Sequence, residues 1–194
     1  MTVPEMFPRL LSVMTNPSFL NGESAGAETP FYICPYAIEE QAVLDDSISR
    51  LVRRLADANV TPLVIDVFSL MVDCLKANDD LDWTYEHEGE QSFADLRDDL
   101  QSVLEDEIVP AIAKKLAESS VQVLLLTNIG ACYPVLRAHK LLNNLPSVVK
   151  RLPLVLFFPG EYRQIPGSGA SLALFGRLTG DGYYRAFNIL EAQI

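Results

Sequence analysis

The stretch Leu124–Leu145, LLLTNIGACYPVLRAHKLLNNL, decides the fold class of this chain. It leaves an apolar strand (VQVLLLTN, residues 121–128), turns at Gly130 and enters a helix containing Arg137–Leu145. Ala138, Leu141, Leu142 and Leu145 recur at helical spacing, so that face is predicted to pack on a sheet. His139 and Asn143 lie one turn apart and share a flank, while Arg137, Lys140 and Asn144 fall on the outer face. A strand that turns directly into a helix is the unit from which α/β proteins build ligand sites at strand C-terminal ends.

The alternation extends in both directions. Upstream, FYICPY (31–36) reads as a strand, followed by a helix in which Leu44, Ile48, Leu51, Val52 and Leu55 form one apolar stripe. Asp45, Asp46, Arg50, Arg53 and Arg54 lie off that stripe and face water. TPLVIDVFSL (61–70) is too continuously apolar for a one-sided sheet and suits a parallel strand covered on both faces. The acidic middle, KANDDLDWTYEHEGEQS (76–92), has no period and reads as a surface excursion. Helical spacing returns through Phe93, Leu96, Leu100, Val103 and Leu104, with Pro110 expected to kink or divide the helix. LPLVLFFPG (152–160) is the fourth strand, and LALFGRL and YYRAFNI flank TGDG as an antiparallel hairpin. A short N-terminal helix over Glu5–Met14 completes the pattern. The predicted fold is α/β, a doubly wound, mainly parallel sheet with a C-terminal antiparallel hairpin, built as a single domain over residues 1–194.

Composition narrows the function. Fifteen Lys and Arg stand against 26 Asp and Glu, a net charge of −11, which repels phosphate backbones and anionic lipid. Direct nucleic-acid binding is not expected. The charge is uneven: residues 1–120 hold 8 basic and 23 acidic side chains, and residues 121–194 hold 7 and 3. The C-terminal part can therefore present a locally basic face. Cys34, Cys74 and Cys132 form no CxxC and have no metal-like spacing to His87 or His139, so neither a disulfide scaffold nor a zinc site is expected. The start MTVPEMFPRLL carries Glu5 and Pro8 where a signal peptide needs a basic, uninterrupted run, and no segment is long and apolar enough to span a membrane. The expectation is a cytoplasmic protein without membrane association.

Candidate chemistry gathers at the carboxyl edge of the sheet, at Tyr36, Asp66, Thr127–Gly130 and Pro159–Tyr162. LVID and LLLTN are similar to the metal-binding and sensor strands of P-loop ATPases, but the phosphate loop is missing. After the first strand stands PYAIEE, without glycine or lysine and with two carboxylates that would repel a nucleotide. GSGAS (167–171) follows a loop and reads as a turn. A general acid or base at His139, oriented by Asp66, is one reading, and a loop-fixing histidine is the other. No GxSxG and no calcium loop is present, and no cofactor is implied. Tyr162, Phe175, Tyr183, Tyr184 and Phe187, with Arg177 and Arg185 nearby, read either as core or as a partner surface with aromatic anchors.

Taken in order, NPSFLNG, PFYICPY, LLLTNIGACYPVLRAHKLLNNL, LVLFFPGEY, LALFGRL and YYRAFNI resemble the BrxB family of bacteriophage exclusion (BREX) systems. The resemblance spans Asn16 to Ile189 and is most specific from Thr127 to Leu145 and at FFPGEY. It implies a Rossmann-like or degenerate P-loop-like domain without a phosphate loop. It also implies a cytoplasmic component of an antiphage system that works with a DNA methyltransferase, an ATPase and the alkaline-phosphatase-like protein PglZ. No catalytic residue carries over, only positions: Tyr133, Pro134, Arg137, His139, Asn143 and Asn144 in the helix motif, and Pro159, Gly160 and Tyr162 after the fourth strand. The expected role is a non-catalytic adaptor that binds another BREX protein, most readily PglZ. Its candidate contacts are Tyr133, Arg137, His139, Asn143, Asn144, Gly160, Tyr162, Arg177, Tyr184 and Arg185. The alternative is an enzyme or nucleotide-sensing domain with its site around Asp66, Asn128 and His139.

Overall fold

Four apolar runs become the parallel strands β1 (Phe31–Tyr36), β2 (Pro62–Asp66), β3 (Val123–Thr127) and β4 (Leu154–Ile165). A computed structural model describes residues 1–23, 30–87, 89, 92–165, 169–179 and 186–192. The strand order is β2-β3-β4-β1-β7, where β7 (Phe187–Asn188) adds to β1 in parallel. β1, β3 and the first half of β4 are buried on both faces, as their continuous apolar character requires, while β2 at the edge is mostly half-buried. Ile33, Leu124, Leu126, Leu156 and Phe158 point to one face, Tyr32, Cys34, Leu125, Val155 and Phe157 to the other. Side chains alternate along a strand, so each face builds its own core.

Helices α1 (Val3–Met14), the one-turn α2 (Pro17–Leu20) and α3 (Gln41–Asp57) cover the second face. The stripe on α3 is as expected, with Leu44, Ile48, Leu51 and Leu55 buried and the five flanking charges exposed. The first face is covered by α4 (Val67–Ala77), α6 (Phe93–Ala117), α7 (Ala138–Asn144) and α8 (Pro146–Val149). Phe157 and Phe158, both essentially inaccessible, each contribute about 1.5–3 kcal/mol of burial.

Several expectations need correction. TPLVIDVFSL is not one strand: Asp66 ends β2 and its carboxylate accepts the Ser69 N–H at 2.9 Å, starting α4 at Val67. The acidic middle is not wholly irregular, because Asp80–His87 forms helix α5, which buries no residue and stacks Trp83 on His87. Pro110 does not divide α6, and it sits exposed inside a helix of 25 residues. Leu96 and Leu104 face the core as expected, while the side chains of Phe93 and Val103 lie outside the described set.

The antiparallel addition is present with different arms. The tail of β4 pairs with β5 (Gly169–Leu174), and β5 pairs with β6 (Leu178–Thr179) through a turn at Phe175–Arg177. The YYRAFNI segment contributes β7 to the parallel sheet instead. Gly169–Ser171 of GSGAS belong to β5, while Gly167, Ser168, Gly180, Asp181, Gly182, Tyr183, Tyr184 and Arg185 lie outside the described residues. Thus β4 serves two sheets. Up to Pro159 it pairs in parallel with β1, and from Gly160 it pairs antiparallel with β5.

Candidate functional site

The carboxyl edge of the sheet is tied together by its own side chains. Asn128, in the left-handed conformation at φ 58°, follows β3. Its Nδ2 donates to Asp66 Oδ2 at 2.6 Å, and its Oδ1 accepts from Gln41 Nε2 at 2.9 Å. Gln41 Nε2 also donates to Asp45 Oδ1 at 2.8 Å, and the Tyr36 hydroxyl donates to Gln41 Oε1. Burial first, and then the Asp45 carboxylate, raises the Tyr36 phenol and keeps it a donor. The ends of β1, β2 and β3 are thereby linked through one amide at the start of α3. The segment that would be a phosphate loop is instead the 3-10 turn Ile38–Glu40, whose Glu40 carboxylate accepts from Val3 N–H of α1.

A second place lies between the segment after β3 and the β5–β6 hairpin. Ile129, Leu136, Phe158, Leu172 and Leu174 form the walls of a cleft of about 240 Å³, with Tyr133, Arg137, His139, Arg177 and Leu178 completing it. Tyr133 is 38% exposed and Leu178 41%, so both stand at the rim. Arg137 departs from its expected outward orientation: it precedes α7, and its Nε is buried without a hydrogen-bond partner among the described residues.

The structure thus brings together four of the candidate contact residues, Tyr133, Arg137, His139 and Arg177. Asn143 and Asn144 are exposed on α7 and do not line this cleft, and Asn144 Nδ2 donates to the Lys140 carbonyl at 3.0 Å. Gly160 lines a different hollow with Tyr36 and Phe175, and the Tyr162 hydroxyl donates to the Ala186 carbonyl at 3.0 Å. Tyr184 and Arg185 are outside the described residues. His139 and Asp66 line separate cavities, and the Asp66 oxygens accept from Ser69 and Asn128. Sequence reasoning missed Gln41, which meets Asn128 across 87 residues and carries no local signal of that pairing. It also missed Leu172 and Leu174 as cleft walls, because the hairpin partner was placed elsewhere.

The cysteines are inert by burial. Desolvation pushes the Cys34 thiol up to about 12, and desolvation followed by the nearby Asp66 carboxylate does the same to Cys132. Native protein treated with iodoacetamide at pH 8 is therefore expected to keep both thiols unmodified by intact mass, while the unfolded chain is alkylated at all three cysteines. Both folded values exceed the unfolded value of 9.0, so the neutral thiols favour the fold fully below pH 9. That contribution is lost as pH rises toward 12, with a slope approaching about 1.4 kcal/mol per pH unit for each thiol. Urea midpoints that stay flat from pH 9 to 11 would contradict this.

Comparison with known proteins gives the family. A family profile described as "BREX protein BrxB" matches residues 63–189, which include β2 from Leu63, β3, β4 and both clusters just described apart from Tyr36, Gln41 and Asp45. The chain belongs to the BrxB family. It is 28% identical over 195 residues to a BREX protein BrxB of Bacillus cereus strain H3081.97, covering 97% of this chain and 98% of the relative. It is 27% identical over 173 residues to a BREX protein BrxB of Escherichia coli O9:H4 strain HS, covering 89% and 84%. No solved structure matches. Membership in BrxB makes the chain a component of BREX phage defence, and neither the family nor these relatives are named as an enzyme. No described helix is long and apolar enough to cross a membrane, and no described cluster of three or more His, Cys, Asp or Glu could hold a metal ion.

Proposed function

We propose that this BrxB-family chain is a non-catalytic adaptor of the BREX system, a cytoplasmic domain that binds another BREX protein and helps assemble the complex that methylates host DNA and restricts phage. PglZ is the partner to test first. The observation that carries this reading is the rim of the cleft, where exposed Tyr133 and Leu178 stand beside Arg177 on a rigid strand-and-helix frame. Tyr and Arg are the residue types that anchor interfaces, and an adjoining apolar cleft provides the water-excluding surroundings that make such anchors count. The carboxyl edge supports the same reading, since its polar groups bond to one another rather than standing ready for substrate.

Co-expression with PglZ, then sizing and light scattering at low and high salt, tests it. The two are expected to elute together at micromolar concentration. Tyr133→Ala and Arg177→Glu are each expected to weaken the complex by about 2 kcal/mol without changing the fold. Separate migration of the wild-type proteins would sink the adaptor reading.

A further inference from the structure

The cleft also carries positively charged side chains on its lining. Among the described residues its lining includes Arg137 and Arg177 and no Asp or Glu. Among the described residues neither arginine takes part in an ion pair. Arg137 Nε is buried and has no hydrogen-bond partner among the described residues. Guanidinium N–H groups make strong, charge-assisted hydrogen bonds to carboxylate and phosphate oxygens, and both arginines line the cleft. The other walls, Leu136, Phe158 and Leu172 among them, are buried and apolar.

We propose that this cleft is a binding site for a small organic anion, a carboxylate or phosphate head on a short apolar body. The head would accept from the guanidinium groups of Arg137 and Arg177, and the body would rest on Phe158 and the leucines. The volume of about 240 Å³ lies just under the roughly 300–1,000 Å³ of drug-sized sites, so the ligand is small. This site goes beyond partner binding and needs only the isolated chain, so it stands or falls separately from the adaptor reading.

Thermal unfolding of the isolated protein at low ionic strength, with phenyl phosphate, benzoate, inorganic phosphate and neutral benzyl alcohol as probes, tests it. The protein's net charge of −11 works against nonspecific anion binding, so stabilisation by an anion points to a local site. Phenyl phosphate or benzoate is expected to raise Tm by about 3–6 °C at tenfold its dissociation constant, and benzyl alcohol to do markedly less. Arg177→Ala, on an exposed turn, is expected to keep the unliganded Tm and to weaken binding at least about tenfold, with Arg137→Gln doing the same where it folds. Three results would overturn the proposal: no shift with any anion, a shift that Arg177→Ala leaves intact, or equal shifts with benzoate and benzyl alcohol. Response to inorganic phosphate with none to either organic anion would mark an adventitious ion only and overturn it too.

Discussion

Gly160→Ala is expected to lower Tm by about 6–12 °C, the largest loss from an added methyl at any described glycine. Gly160 has φ +154°, a backbone region that side-chain-bearing residues rarely adopt, and a Cβ built there would lie 2.1 Å from the Ala173 carbonyl oxygen. That oxygen belongs to β5, so the neighbour is backbone and cannot rotate away. Strain of about 1–3 kcal/mol adds to the clash, and about 3 kcal/mol in total converts to that Tm change in a domain of this size. The consequence is specific, because β4 leaves the parallel sheet at this residue and joins β5. Loss of the hairpin with the parallel core retained would appear as a lower transition and a cleft that no longer forms. Gly176→Ala is the control: its φ is +69° but the nearest heavy atom would lie at 3.6 Å, so strain alone acts there. If Gly160→Ala costs no more than Gly176→Ala, the backbone clash is not the determinant.

Asn128→Leu comes second, with an expected cost of about 3 kcal/mol. The substitution removes the donor to Asp66 and the acceptor from Gln41, each worth about 1 kcal/mol and more where a carboxylate is involved. It also forces a bulky side chain into the left-handed region at φ 58°. Asn128→Gly separates the two effects: it keeps the conformation free of strain and loses only the bridge, so about half the cost is expected. Chemical denaturation of both variants, with PglZ co-elution as a second readout, checks this. If both variants retain full stability yet lose defence in cells, the carboxyl edge is a working site rather than a tie between strands.

The layers of the molecule were legible in the residues because each is encoded locally. The stripe Leu44, Ile48, Leu51, Val52 and Leu55 needs only the helical period to be read, and VLLLT and LVLFF need only their length and continuity. The extent of the second strand was misread for an equally local reason: VFSLMV continues the apolar run of LVID, and only the capping bond from Asp66 to Ser69 turns it into a helix. Helix α5 escaped because it buries nothing and so carries no apolar period.

By itself the sequence determined an α/β chain with a parallel sheet, no phosphate loop and a basic C-terminal part, since each follows from period, motif and count. Tertiary structure alone decided where two arginines of that part lie. Arg137 and Arg177 are 40 positions apart in the chain, and nothing in the spacing relates them. They line one cleft because β4 turns at Gly160 into a second sheet and lays β5 and β6 against the segment after β3. Pairing between distant strands is set by the whole core finding room for its side chains, and a single position records that demand only as a residue type, here a glycine without space for a Cβ.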